Sequence, residues 1–151
     1  EVILAGRRIN DTMGRFVATK VIELMVRAGL EIAGTDVNVF GVTFKENCSD
    51  VRNSQVFPLI HELQSYCLNV NALDPLAQPD EVRKESGIVL ESLDTVAPVP
   101  VVILAVPHSK FCNLGFSWLN NLVKKPGVLI DIKSAFHDQA HDRDQLSYWS
   151  L

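Results

Sequence analysis

One uninterrupted apolar run, VPVVILAV at residues 99–106, limits what this chain can fold into. A strand that is apolar at every position needs cover on both faces, which indicates the centre of a parallel sheet between two layers of helices. Residues 36–43 predict a second buried strand, residues 68–72 a short strand with apolar side chains on one face, and residues 128–131 a final strand. The chain must therefore supply helices for both faces of a sheet.

Amphipathic segments alternate with these runs and provide that cover. Apolar residues recur at three- and four-residue steps after Asn10 and Asp11, which predict a helix N-cap, and Gly29 predicts the end of this helix. Ser54 is expected to cap a second helix, and residues 117–124 predict another. The alternation predicts an α/β fold: a Rossmann-like, doubly wound and mainly parallel sheet preceded by a long helix.

Composition and charge narrow the class of protein. A chain of 151 residues with 47% hydrophobic residues is long enough for one domain with a real core, and its net charge of -4 argues against a general nucleic-acid binder. No apolar stretch reaches the roughly 18–20 residues that cross a bilayer, so no membrane partner is expected. The widely spaced cysteines Cys48, Cys67 and Cys112 have no metal-ligand spacing, which predicts a reducing cytoplasm and no metal site.

Cationic side chains follow several of the predicted strands. Lys45 and Arg52 lie in the loop after the first strand, Lys110 follows the central strand, and Lys133 follows the last. Because ligands of doubly wound sheets bind beyond the carboxyl ends of the strands, we expect these cations to meet at one rim and to suit a phosphate or diphosphate. A surface ion pair with a neighbouring acidic side chain is an equally good interpretation of Lys45.

Other polar residues have plainer expected roles. Asp74-Pro75 predicts a turn, although the carboxylate could also accept hydrogen bonds from a ribose or base. His108 is expected to form structural hydrogen bonds. Cys48 has acidic neighbours, which raise the pKa of a thiol, so we predict no catalytic role for it and find no catalytic residue in the chain. The sequence contains no Gly-rich dinucleotide fingerprint and no Walker loop.

Five ordered segments resemble one known family. They are LAGRRINDTMGRFVA, GVTFKENCSDVRNS, NALDP, VVILAVPHSKF and LIDIKS, and the resemblance covers residues 1 to about 134. Together they resemble the C-terminal UDP-sugar-binding half of the UDP-glucose/GDP-mannose dehydrogenases, most nearly the bacterial UDP-N-acetyl-hexosamine 6-dehydrogenases. Members of that family use NAD to oxidise the C6 alcohol of a UDP sugar twice. The products are uronic-acid sugars for capsule and O-antigen.

The resemblance implies roles for particular residues. Phe44 and Lys45 match a substrate-contacting pair, and Lys133 lies near a basic contact to the UDP sugar. Arg52 matches an arginine that reaches across the cleft to NAD. Arg7 and Arg8 fall in a segment that can approach the substrate of a neighbouring subunit in a homodimer.

The resemblance also implies a division of the chain. Residues 1–30 would form the end of the central dimerisation region and a leading helix, residues 31–134 the UDP-sugar-binding domain, and residues 135–151 a polar tail. The nucleophilic cysteine and the NAD domain would precede residue 1, so we expect these residues alone to be inactive. The alternative is a non-catalytic oligomerisation module, whose leading helix packs on a partner through Phe16 and Met25.

Overall fold

A computed structural model describes the backbone of residues 2–141 and 145–151, and within these ranges the side chains from residue 12 onward. The helices and strands in chain order are α1 Val2–Arg27, β1 Asp36–Phe40, α2 Val56–Ser65, β2 Asn69–Leu73, α3 Pro79–Ser86, β3 Val99–Leu104, α4 Ser109–Asn121, β4 Val123–Asp131 and β5 Leu146–Ser150. The described strands form one parallel sheet in the order β2-β1-β3-β4-β5. The predicted parallel α/β fold is confirmed, with the run at residues 99–106 supplying the central strand.

Two hydrophobic cores cover the two faces of the sheet. Successive side chains of a strand point to opposite faces, so Val39 and Ile103 pack with α1 and α2, whereas Phe40 and Leu104 pack with α4. The central strands are therefore buried on both faces. This double burial is the physical reason why the sequence of β3 is apolar without alternation.

Helix α1 begins earlier than the sequence predicted. It starts at Val2, so Asn10 and Asp11 lie within the helix and not at its N-cap. Its end agrees with the prediction, because Gly29 adopts a positive φ of 76° and the N–H of Leu30 donates to the carbonyl of Met25 at 2.9 Å.

The second half of α1 packs on the sheet of its own chain. Val21 and Met25 are fully buried in the core with α2, so Met25 is not available to a partner as the oligomerisation alternative requires. Phe16 is 48% exposed, and its ring centroid lies 6.2 Å from that of Trp149. This part of the helix thus belongs to the domain that follows it.

The C-terminal third differs most from the sequence prediction. The helix predicted at residues 117–124 is the second part of α4, whose backbone leaves helical geometry at Gly115 with a φ of 86°. Residues 135–151, interpreted as a polar tail, contain β5, which pairs with β4 from Gly127–Leu146 to Asp131–Ser150. Strand β5 lies at the edge of the sheet, and Leu146 is its one buried residue. Because an edge strand buries fewer side chains than a central strand, the sequence of β5 has little hydrophobic pattern.

Candidate functional site

A cleft of about 460 Å³ lies beyond the carboxyl ends of β1, β3 and β4. From β1 the chain runs to β2 on one side and then to β3 on the other, so the cleft sits where the strand order reverses. Ligands of open parallel sheets bind at such a switch point. The apolar part of the lining consists of Met13, Val17, Phe44, Val56, Leu59, Ala105, Val106, Ile132 and Leu151.

Two of the predicted cations share this cleft. Lys45, after β1, and Lys133, after β4, both line it, and both residues are exposed. No Asp or Glu side chain lines the cleft, and among the described side chains neither lysine forms an ion pair. The interpretation of Lys45 as half of a surface ion pair is therefore not borne out within this part of the chain.

Arg52 lies on the same loop but faces a different hollow. That smaller hollow is lined by Phe44, Asp50, Arg52 and Asn53, so Phe44, which is 55% exposed, borders both hollows. The guanidinium of Arg52 holds Asp50 through two hydrogen bonds, from Nε to Oδ1 at 3.0 Å and from Nη2 to Oδ2 at 3.2 Å. Hydrogen bonding from Arg52 lowers the pKa of the Asp50 carboxyl.

The remaining predicted cations lie elsewhere. Lys110 is exposed in the first turn of α4 and, like Arg52, does not line the cleft, so the cleft contains two of the four cations predicted at this rim of the sheet. The backbone of Arg7 and Arg8 belongs to α1, but their side chains lie outside the described part of the chain.

A buried carboxylate–imidazole pair lies beneath the loop that carries Lys45. His108 is fully buried; its Nε2 donates to Oδ2 of Asp74 at 2.9 Å, and its Nδ1 accepts the backbone N–H of Asn47 at 3.0 Å. Because Nδ1 faces a donor, the neutral tautomer with its proton on Nε2 satisfies both contacts. The predicted structural role of His108 is confirmed, but the sequence did not indicate its partners.

Asp74 combines a turn with this buried pair. Its Oδ1 accepts the N–H groups of Leu76 and Ala77 at 2.7 and 2.9 Å, which confirms the predicted turn. Its Oδ2 accepts the N–H of Val42 at 2.8 Å in addition to His108. Burial by itself would raise the pKa of Asp74, but the hydrogen bonds from His108 and the backbone outweigh it, and the pKa is lowered.

A second buried carboxylate orders the turn that presents Lys133. Asp131, at the end of β4, accepts the N–H groups of Ala135 and Phe136 at 2.9 and 2.8 Å and the hydroxyl of Tyr148 at 2.7 Å. Burial, followed by the contact with Asp131, raises the pKa of Tyr148, so its hydroxyl remains a donor. Strand β5 thereby helps to hold the cleft, which the sequence did not predict.

The chain segments that follow β1 and β3 approach each other closely at Gly41, because a Cβ atom on Gly41 would lie 2.5 Å from the carbonyl oxygen of Val106. No group of His, Cys, Asp and Glu in the described part of the chain could hold a metal ion. Within that part, no helix is both long and apolar enough to cross a membrane.

Comparisons with known proteins agree with this geometry. Residues 38–138 match the model of the UDP-glucose/GDP-mannose dehydrogenase family, UDP binding domain. Protein CapL of Staphylococcus aureus is 46% identical over 133 residues, which are 88% of this chain and 31% of that protein. UDP-N-acetyl-D-glucosamine 6-dehydrogenase of Salmonella typhi is 38% identical over 133 residues, again 88% of this chain and 31% of that protein.

Solved structures give the same answer for the fold. UDP-D-ManNAc dehydrogenase from Pyrococcus horikoshii superposes with a TM-score of 0.72 at 18% identity, covering 95% of this chain and 32% of that one. UDP-N-acetyl-mannosamine dehydrogenase Cap5O from Staphylococcus aureus superposes with a TM-score of 0.64 at 25% identity, covering 96% and 31%.

The present chain therefore spans about a third of the length of the relatives it matches. The segment matched by the family model includes the loops after β1, β3 and β4, which carry Phe44, Lys45 and Lys133 at the edge of the cleft. Sequence, strand order and cleft agree, and the chain belongs to the UDP-glucose/GDP-mannose dehydrogenase family as its UDP binding domain.

Proposed function

We propose that the cleft binds a UDP sugar, with its diphosphate between Lys45 and Lys133. One observation carries this proposal: two lysines from separate loops line a single cleft whose lining contains no Asp or Glu side chain. Two carboxylates of the surrounding loops are engaged elsewhere, Asp50 by Arg52 and Asp74 by His108. An anionic group in this cleft therefore meets positive charge that no described acidic side chain neutralises.

Phe44 supplies the apolar contact in this proposal. More than half of its side chain is exposed at the mouth of the cleft, where a nucleotide-sugar that lies against the ring would remove apolar surface from water. The apolar lining from α1 and α2 continues this surface inward.

The larger protein, in our proposal, oxidises a UDP-hexose or UDP-N-acetylhexosamine to the uronic acid with NAD. The names of the relatives, UDP-N-acetyl-D-glucosamine 6-dehydrogenases, support the oxidation of a UDP sugar. The use of NAD and a role in capsule or O-antigen synthesis in the cytoplasm are further parts of the proposal. Residues outside this chain supply the nucleophilic cysteine and the dinucleotide cradle. Arg52, exposed beside the cleft, contributes a contact to NAD from that other domain.

A homodimer completes the proposed assembly. The 26-residue helix α1 begins at Val2, and its N-terminal half carries Arg7 and Arg8. These two arginines approach the substrate of the neighbouring subunit. The N-terminal part of residues 1–30 then acts as the connection to the dimer platform, and the second half of α1 packs on the UDP-sugar-binding domain that the residues from 31 onward form.

Titration of the 151-residue chain with UDP by isothermal calorimetry tests the cleft. We expect saturable binding that weakens with salt, and a loss of about tenfold in affinity for Lys45→Ala and for Lys133→Ala, since a charge-assisted contact contributes about 1.5 kcal/mol. Lys110→Ala is the matched control, because it removes an exposed lysine that does not line the cleft, and should bind UDP as the parent chain does.

The proposal is wrong if UDP does not bind saturably, or if Lys45→Ala leaves the affinity unchanged. Sedimentation of the same samples adds a second readout: a tight dimer indifferent to UDP would favour the oligomerisation module. With NAD and a UDP sugar present, we expect no NAD reduction by these residues alone, and measurable turnover would refute the assignment of the nucleophile to another part of the protein.

A further inference from the structure

We propose that His108 is a positioning residue for UDP-sugar binding: through Asn47 it holds the loop of Phe44 and Lys45 in its binding conformation. This inference rests on the proposed function of the cleft. His108 itself does not line the cleft and is fully buried, so it acts on the ligand only through that loop.

The loop is tied at two points to the same buried pair. Before the substrate residues, the N–H of Val42 donates to Oδ2 of Asp74 at 2.8 Å. After them, the N–H of Asn47 donates to Nδ1 of His108 at 3.0 Å. Asp74 and His108 are joined at 2.9 Å, so residues 43–46 form a span whose two ends are fixed to one buried node.

Contacts within the span transmit this restraint to Lys45. The hydroxyl of Thr43 donates to the carbonyl of Lys45 at 2.9 Å and lies 3.3 Å from Nε2 of His108. Asn47 has a left-handed φ of 60°, and its side-chain oxygen accepts the N–H of Ser109 at 2.8 Å. The loop is thereby attached to the first turn of α4 as well as to the node.

These backbone contacts matter because the side chains of Lys45 and Phe44, which meet the ligand in our proposal, are held weakly by other described side chains. Lys45 forms no ion pair with the described side chains, and Phe44 is mostly exposed. A loop that must be ordered on binding loses affinity through conformational entropy, whereas a loop ordered beforehand does not. Only the backbone restraints orient these two residues before UDP arrives.

The competing explanation is that the buried pair stabilises the fold and nothing more. Two substitutions separate the explanations, because an Asn oxygen can take the place of imidazole Nδ1 and a Gln nitrogen that of Nε2. His108→Asn keeps an acceptor for Asn47 and loses the contact with Asp74. His108→Gln keeps a donor to Asp74 and loses the contact with Asn47.

UDP titration of the two variants gives the first measurement. We expect His108→Asn to bind within about threefold of the parent chain and His108→Gln to bind about tenfold more weakly. Asn38→Ala is the stability control, because Asn38 is a buried polar residue whose amide donates to the carbonyl of Ala97, away from the cleft. It should lower the melting temperature without weakening UDP binding.

A double variant tests whether His108 acts through Lys45. If it does, His108→Gln combined with Lys45→Ala should bind UDP no more weakly than Lys45→Ala alone, since the two losses share one cause. Additive losses would refute this route. Equal affinities of the Asn and Gln variants, or a matching loss in Asn38→Ala, would also overturn the inference.

Amide hydrogen exchange provides a readout that needs no ligand. The Asn47 amide in the parent chain should exchange slowly for an exposed loop residue, and rapid exchange would overturn the inference. In His108→Gln, exchange at residues 44–47 should rise while the strands remain protected. If the loop is protected in this way but UDP does not bind, the proposed function is wrong and the role of His108 in holding the loop stands.

Discussion

Gly41→Ala should destabilise the protein much more than the same change at Gly34. Both glycines have a positive φ, 92° at Gly41 and 85° at Gly34, so alanine at either position incurs about 1–2 kcal/mol of backbone strain. Only at Gly41 does the new methyl group meet other atoms, the carbonyl oxygen of Val106 at 2.5 Å and its Cβ at 2.6 Å. Nothing lies within 4 Å of a Cβ atom on Gly34.

The overlap adds about 1–3 kcal/mol to the strain, because the contacted atoms belong to the backbone and to a buried side chain that cannot move away cheaply. Gly41→Ala should therefore lose roughly 2–5 kcal/mol in free energy of unfolding, against roughly 1–2 kcal/mol for Gly34→Ala. For a chain of this size, each kcal/mol corresponds to roughly 2–4 °C in melting temperature.

Urea unfolding followed by tryptophan fluorescence measures both losses. Equal losses at the two positions would refute the reasoning, because they would show that the close approach of the two strand ends contributes nothing. UDP binding adds a second comparison: Val106 lines the cleft, so displacement by Gly41→Ala should weaken UDP binding while Gly34→Ala leaves it unchanged.

Two further predictions concern the buried carboxylates. Asp74→Asn should lower the free energy of unfolding by about 2–3 kcal/mol at pH 7. The folded-state pKa of Asp74 is lowered, so the stabilisation by its carboxylate is present above the unfolded pKa of about 4 and is lost as pH falls through the folded value. The difference in free energy of unfolding between variant and parent should therefore shrink in acid. Urea unfolding at several pH values measures this difference, and a pH-independent difference would contradict the assignment. Tyr148→Phe removes the hydroxyl that donates to Asp131 and should lose about 1–2 kcal/mol in the same assay, whereas unchanged stability would mean that this hydrogen bond does not hold β5.

Local patterns predicted the fold well where packing follows from the residues themselves. Strands β1 and β3 are buried on both faces in the structure, and Gly29 ends α1 as its position indicated. Prediction failed where a local signal misled or was absent. Asn10-Asp11 looks like an N-cap but lies inside α1, and Gly115 interrupts the periodicity of α4. Strand β5 has an edge position that leaves little hydrophobic pattern to read.

The sequence by itself determined that a parallel sheet carries cations after its strands, because strand burial and loop position follow from hydrophobic periodicity. The tertiary structure alone decided which cations share a cleft: Lys45 and Lys133 do, and Lys110 does not. It also decided that Asp74 and His108, 34 residues apart, form a buried pair beneath the loop. Such pairings depend on strand order and register, which arise from contacts between distant residues and leave no periodic trace along the chain.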